Sequence, residues 1–234
     1  MSLEENIARV KANMARAALE AGRDPAEITL VAATKVQTSD TIRAAIAAGI
    51  TICGENRVQE LTAHLDDYAY DGAKIHFIGH LQTNKVNKVV GRAAMIESVD
   101  SARLLDKVAR AAAGRGLVQD ILIEINIGEE ASKSGVREDD LWALLEDAAA
   151  RPSVRLRGLM AIPPAEATPD ETRAFFARMR ELLAKAAGRH YENAVMDTLS
   201  MGMSGDYPAA IREGATIVRI GTAIYGARDY SKKG

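Results

Sequence analysis

Several residues of this sequence have types and spacings that could do chemistry together. Lys35 closes the run Thr29–Lys35, where alternation puts Val31, Ala33 and Lys35 on one face. Among apolar neighbours a lysine ammonium loses solvation, its pKa falls, and the neutral amine can form a Schiff base with a carbonyl. A lysine that snorkels from a rim to water is the competing reading. Arg219 stands in the run 216–226 with Ile217 and Gly221 on its face. An arginine cannot shed its charge, so in an apolar strand it needs a bound cofactor, a substrate or an internal ion pair. Ser200, Gly202, Ser204, Gly221 and Thr222 are small residues at the ends of two adjacent apolar runs. Such ends can aim backbone N–H groups and hydroxyls at one phosphate, or serve only as loop and cap residues. Asn56, in Gly54-Glu-Asn56, is a polar contact at the same mouth or a helix cap. His76 and His80 read as rim residues, and Cys53 as a small buried one. No histidine or cysteine pair has metal-ligand spacing, so no metal is expected.

The elements that must hold these residues alternate. A first helix starts at the capping box Ser2/Glu5, carries Leu3, Ile7, Val10, Met14 and Ala18 at helical spacing, and ends near Gly22. Strands follow at 29–35, 50–53, 74–80, 94–99, 121–127 and 156–162. Helices are expected at 39–48, 57–68, 81–90, 101–113, 138–150 and from Thr168-Pro-Asp-Glu171 to Ala187. The runs 196–204 and 216–226 supply strands seven and eight, with a short helix at 207–213 between them. Strand–helix alternation implies parallel strands, and eight of them close a barrel. The expected fold is α/β, a single (β/α)8 TIM barrel with an extra N-terminal helix. An open doubly wound sheet for dinucleotides would carry a Gly-x-Gly-x-x-Gly turn after its first strand; Thr34-Lys-Val-Gln-Thr38 has no glycine. The polar stretch Gly128–Gly135 reads as a mobile loop.

The 234 residues, 47% of them hydrophobic, suit one domain over 1–234, and the chain stops a few residues after strand eight. A net charge of −2 gives no electrostatic footprint for nucleic acid. One cysteine permits no internal disulfide. The acidic start Met1-Ser-Leu-Glu-Glu-Asn is unlike a secretory signal, and no apolar stretch approaches the ~18 residues of a membrane span. These features lead us to expect a cytoplasmic protein with no membrane partner.

In order along the chain, Ala32-Ala-Thr-Lys35, Gly54-Glu-Asn-Arg-Val-Gln-Glu60, Phe77-Ile-Gly-His-Leu-Gln-Thr-Asn-Lys85, Ser132-Lys-Ser-Gly135, Leu199-Ser-Met-Gly-Met-Ser204 and the run 218–230 resemble one family. It is the YggS/PROSC family of pyridoxal 5′-phosphate (PLP) homeostasis proteins, and the resemblance covers residues 3 to 230. The resemblance implies a barrel similar to the N-terminal domain of alanine racemase. It implies PLP as cofactor on Lys35 as a Schiff base, phosphate contacts at Ser200, Gly221 and Thr222, Arg219 facing the pyridine nitrogen, and Asn56 near the ring. It also implies a role in vitamin B6 and amino-acid homeostasis, with PLP-dependent apoenzymes as candidate recipients.

PLP withdraws electrons most strongly with its pyridine nitrogen protonated, and an arginine cannot accept that proton. In alanine racemase relatives the base opposite the lysine comes from a second domain and a partner subunit. The expectation is therefore a monomeric carrier and regulator without efficient catalysis. A PLP-dependent racemase-like enzyme is the alternative, with Tyr225 and His80 as candidate acid/base groups. A Schiff-base lysine acting on a sugar phosphate, without PLP, is the third reading.

Overall fold

The computed structural model describes residues 1–130 and 133–226. Eight parallel strands close on themselves in chain order, β1 pairing with both β2 and β8. They are β1 (Thr29–Ala33), β2 (Ile52–Glu55), β3 (Lys74–Phe77), β4 (Met95–Val99), β5 (Gln119–Ile125), β6 (Val154–Ala161), β7 (Ala194–Ser200) and β8 (Ile217–Ile220). The helices are α1 (Leu3–Glu20), α2 (Ser39–Ala47), α3 (Val58–Asp66), α4 (Ala102–Ala113), α5 (Glu138–Ala149), α6 (Pro169–Ala187), α7 (Tyr207–Arg212) and α8 (Thr222–Tyr225). The (β/α)8 barrel expected from alternation is present, with α1 as the added helix.

Local chemistry explains most boundaries. Ser2 and Glu5 close the expected capping box on α1, and Thr168 and Glu171 do the same on α6 with Pro169 at its first position. After β3 the expected helix is only a 3-10 segment, Thr83–Lys88. Its Asn and Lys residues bury little besides Val86, so packing gives no reason for a longer helix. The expected runs 29–35 and 74–80 extend past the strands, which end at Ala33 and Phe77; the N–H groups of Thr34 and Ile78 still reach β2, donating to the Gly54 (2.9 Å) and Glu55 (2.8 Å) carbonyls.

The last βα unit is short, since α8 has 4 residues. Helix α1 packs against α7 and α8. Its buried face carries Ile7, Val10 and Met14, each contributing roughly 1.5–3 kcal/mol by burial. Asn6 donates to the Ile224 carbonyl (3.0 Å), and Arg23, just past α1, to those of Ile211 (2.8 Å) and Ala215 (2.9 Å).

The core has two parts. One lies between strands and helices and includes Phe77, Ile96, Leu105 and Phe176. The other is inside the barrel and includes Val31, Ala33, Met95, Leu122, Met160 and Ile217. Thus the face carrying Val31 and Ala33 is the interior one. Between β6 and β7 the register shifts at Gly158, whose φ is +154°. A Cβ there would lie 1.8 Å from the Thr198 carbonyl oxygen, so only glycine lets β7 approach this closely.

Candidate active site

At the C-terminal ends of the strands a cavity of about 340 Å³ is lined by Lys35, Asn56, Ser204, Arg219, Gly221 and Thr222, with Ala33, Ile78, Ile162, Met203 and Gly205 between them. Five of the six expected site residues therefore meet at one mouth. Lys35 sits in a tight turn just past β1, closed by the Gln37 N–H donating to the Thr34 carbonyl (3.0 Å). The next residue, Val36, has φ +60°. A β-branched residue in that region stores about 1–3 kcal/mol of strain, a feature that gathers at functional sites.

Asn56 follows β2, and its Oδ1 is buried without a partner among the described residues. The chain comes very close behind it: a Cβ on Gly79 would lie 2.2 Å from the Asn56 carbonyl oxygen. On the opposite wall Ser204 accepts a hydrogen bond from Ala223 N–H (3.1 Å), joining the β7 loop to the first turn of α8. First-turn N–H groups have no intrahelical acceptor, and Thr222, the first residue of α8, lines the cavity.

Arg219 is 4% exposed and forms the cavity floor. Its Nη2 donates to the Ala161 carbonyl (3.0 Å), and its Nη1 donates to Ser200 Oγ. Ser200 Oγ in turn donates to Glu97 Oε2 (2.6 Å), and His76 Nδ1 lies 2.6 Å from Glu97 Oε1. This chain, His76–Glu97–Ser200–Arg219, runs up the barrel interior. Burial alone would raise the Glu97 carboxyl, but hydrogen bonds and charge from His76, Arg219 and Ser200 hold it below its usual value. Burial pulls the Arg219 guanidinium down, opposed by Glu97 and Glu124. With an ordinary value so far above neutrality and Glu97 Oε2 4.0 Å away, Arg219 stays charged.

Ser200 is the expected site residue that does not line the cavity. It is fully buried one step below, its hydroxyl engaged by Glu97 and Arg219, and Ser204 occupies the wall instead. His76 is not a rim residue either; it is 5% exposed inside the barrel. His80 does lie at the rim, its side chain 57% exposed and 3.3 Å from Asp100. Tyr225 does not line the cavity, and its hydroxyl is buried without a partner among the described residues. Of the stretch 128–135, Ala131 and Ser132 lie outside the described residues. Lys133 donates to the Pro163 carbonyl (3.1 Å) and pairs with Glu130.

Sequence reasoning missed Glu97 and Glu124. Glu124 is 7% exposed, its Oε2 has no partner among the described residues, and burial plus the nearby Asp100 push its pKa up to about 7 against the pull of Arg219. The available signal was an acid inside each of two apolar strand runs, Ile-Glu-Ser-Val99 and Ile-Glu-Ile125.

The family described as alanine racemase, N-terminal domain, matches residues 5–229. The chain is 42% identical to the pyridoxal phosphate homeostasis protein of Pseudomonas aeruginosa, covering 98% of this chain and 97% of that one. It is 40% identical to the protein of the same name from Aquifex aeolicus, over 98% of this chain and all of that one. The structure of PipY from Synechococcus elongatus PCC7942 with PLP bound superposes with a TM-score of 0.85 at 33% identity, covering 96% of this chain and 100% of that one.

Proposed function

The chain belongs to the alanine racemase N-terminal domain family and to its pyridoxal phosphate homeostasis proteins, and we propose that it binds PLP on Lys35 as a carrier in intracellular B6 homeostasis. The observation that carries this is the convergence at one mouth of an amine, a buried guanidinium, an unpartnered buried amide oxygen and a wall of small residues. Those residues fit the cofactor. Lys35 supplies the amine for its aldehyde. Ser204, Gly221 and Thr222 offer hydroxyls and N–H groups to a phosphate, in place of Ser200. Asn56 would meet the ring substituents with its side-chain amide.

Bound PLP supplies an aldehyde that captures amines and a ring that withdraws electrons. Arg219 can only donate hydrogen bonds, so it holds a ring nitrogen unprotonated and keeps that withdrawal weak. Glu97 and Ser200 keep the guanidinium in place. A racemase also needs an acid/base group facing the lysine across the ring. Neither Tyr225 nor His80 lines the cavity, which favours the carrier reading over the enzyme. No described helix is long and apolar enough to cross a membrane. We further propose a single domain over 1–234, a monomer in the cytoplasm, and PLP-dependent apoenzymes as recipients.

The test is absorbance with PLP, then borohydride reduction and peptide mapping of wild type and Lys35→Ala. A reducible band mapping to Lys35 and lost in the variant is expected. Label scattered over surface lysines would overturn the PLP reading. Turnover of an amino acid at ~1 s⁻¹ or more would overturn the carrier reading alone.

A further inference from the structure

One histidine belongs to both ends of the barrel. The His76 ring lines a cavity at the lower end, where the strands begin, together with Lys74, Asp120 and Asp197, while its Nδ1 meets Glu97 inside. Alternation explains the stacking. Met95 pairs with His76 between β4 and β3 and faces the interior, so Glu97, two residues on, stands on the same face one pleat higher. Ser200, the last residue of β7, and Arg219 in β8 continue the stack toward the upper cavity.

Chemistry fixes the donor directions along this chain. A guanidinium only donates, so Ser200 Oγ accepts from Arg219 and gives its own hydrogen to Glu97 Oε2 (2.6 Å). Glu97 is charged despite its burial, held below its usual value by His76, Arg219 and Ser200, so its Oε1 accepts from His76 Nδ1 (2.6 Å). A neutral ring with its proton on Nδ1 and an imidazolium both donate here, and the contact holds in either state.

The chain keeps two opposite charges apart. A free carboxylate and guanidinium close into a fork of parallel hydrogen bonds of about 2.7–2.9 Å. Here Arg219 Nη1 stays 4.0 Å from Glu97 Oε2. A fork needs both carboxylate oxygens, and His76 engages one from below while the Ser200 hydroxyl engages the other. Arg219 therefore stays at the cavity floor, and among the described residues Ser200 and the Ala161 carbonyl take two of its five N–H groups. We propose, resting on the PLP reading above, that His76 is a positioning residue for the cofactor ring: by holding Glu97 down, it stops the carboxylate from drawing Arg219 out of reach of the pyridine nitrogen.

Two experiments test this, the first without PLP. In crystal structures of ligand-free wild type and His76→Leu, Glu97 should pair directly with Arg219 in the variant alone; an unchanged separation overturns the proposal whatever the protein binds. Second, affinities for PLP and for its 1-deaza analogue, in which C–H replaces the pyridine nitrogen, are measured by absorbance titration. The ratio of the two affinities reports the ring-nitrogen contact and cancels any general loss of the site. In His76→Leu the ratio should fall about ten- to a hundredfold, the worth of a hydrogen bond to a charged group. His76→Asn, which keeps an N–H near the place of Nδ1, should hold the wild-type ratio. So should Asp120→Ala, which alters the lower cavity without touching the chain. Equal weakening of both ligands in His76→Leu marks a merely structural role and overturns the proposal; an equal fall of the ratio in Asp120→Ala overturns it too. Should His76→Leu fail to fold, His76→Phe, which fills the space of the ring without a donor, is held to the same criteria. A wild type that binds neither ligand at Lys35 strikes the PLP reading and leaves the crystallographic result standing.

Discussion

The two ends of the barrel interior differ in a way that size alone reverses. The lower end, where the strands begin, opens to a cavity of about 540 Å³, larger than the upper one of about 340 Å³. Yet its arginines and aspartates are matched. Arg155 clasps Asp120 (2.7 and 2.9 Å), and Arg157 clasps Asp197 (3.0 and 2.8 Å) while also reaching Asp120 (3.1 Å). The upper end holds an unpartnered Asn56 Oδ1, a β-branched residue at φ +60° and, just beneath, an unpartnered Glu124 Oε2. At the upper end these features stand beside Lys35, Arg219, Gly221 and Thr222, in keeping with the division of barrels into a functional top and a stabilising bottom.

The sharpest way to break this contrast is between the ends, at Glu97. Glu97→Ala should cost about 3–5 kcal/mol, because it leaves Arg219 buried without its carboxylate. It should also weaken PLP binding; denaturant unfolding and a PLP titration check both. A smaller effect, confined to high pH, is expected at Glu124. Its folded value is raised to about 7 from 4.5. A carboxyl raised on folding favours the fold below its unfolded value, and that contribution is lost as pH rises through its folded value. Glu124→Gln should therefore add up to about 3 kcal/mol of stability at pH 8 and almost nothing at pH 4, read by melting at the two pH values.

At the lower end, Asp120→Ala should cost about 1–2 kcal/mol, since it takes a partner from two arginines, Arg155 half-exposed and Arg157 about a quarter exposed. PLP affinity should not move; a tenfold loss would erase the division between the two ends. The smallest effect is expected at Val36, whose side chain is largely exposed. Val36→Gly should raise stability by about 0.5 kcal/mol as relieved strain outweighs glycine's added entropy, while slowing PLP labelling of Lys35. Urea unfolding with parallel labelling checks whether strain and presentation are coupled.

By itself the sequence determined the alternation of eight strands with helices, the caps that start α1 and α6, and the faces of several key residues. Periodicity of two put Val31 and Ala33 on one face with Lys35, and Ile217 on one face with Arg219; that those faces are the interior ones came from the closed barrel. The sequence also placed small residues at the ends of the last two strands. Periodicity cannot say at what height a residue stands. In a closed barrel the strands tilt and are staggered, so residues that look equivalent along the chain lie in different layers. Tertiary structure therefore decided that Ser200 sits beneath the cavity and Ser204 beside it, and that His76 and Glu97, from the middle of two strands, stack under Arg219. It decided too that His64, on α3, turns inward to Glu55 and the back of the Lys35 turn. No local pattern carries such contacts, because each joins elements that meet only when the barrel closes.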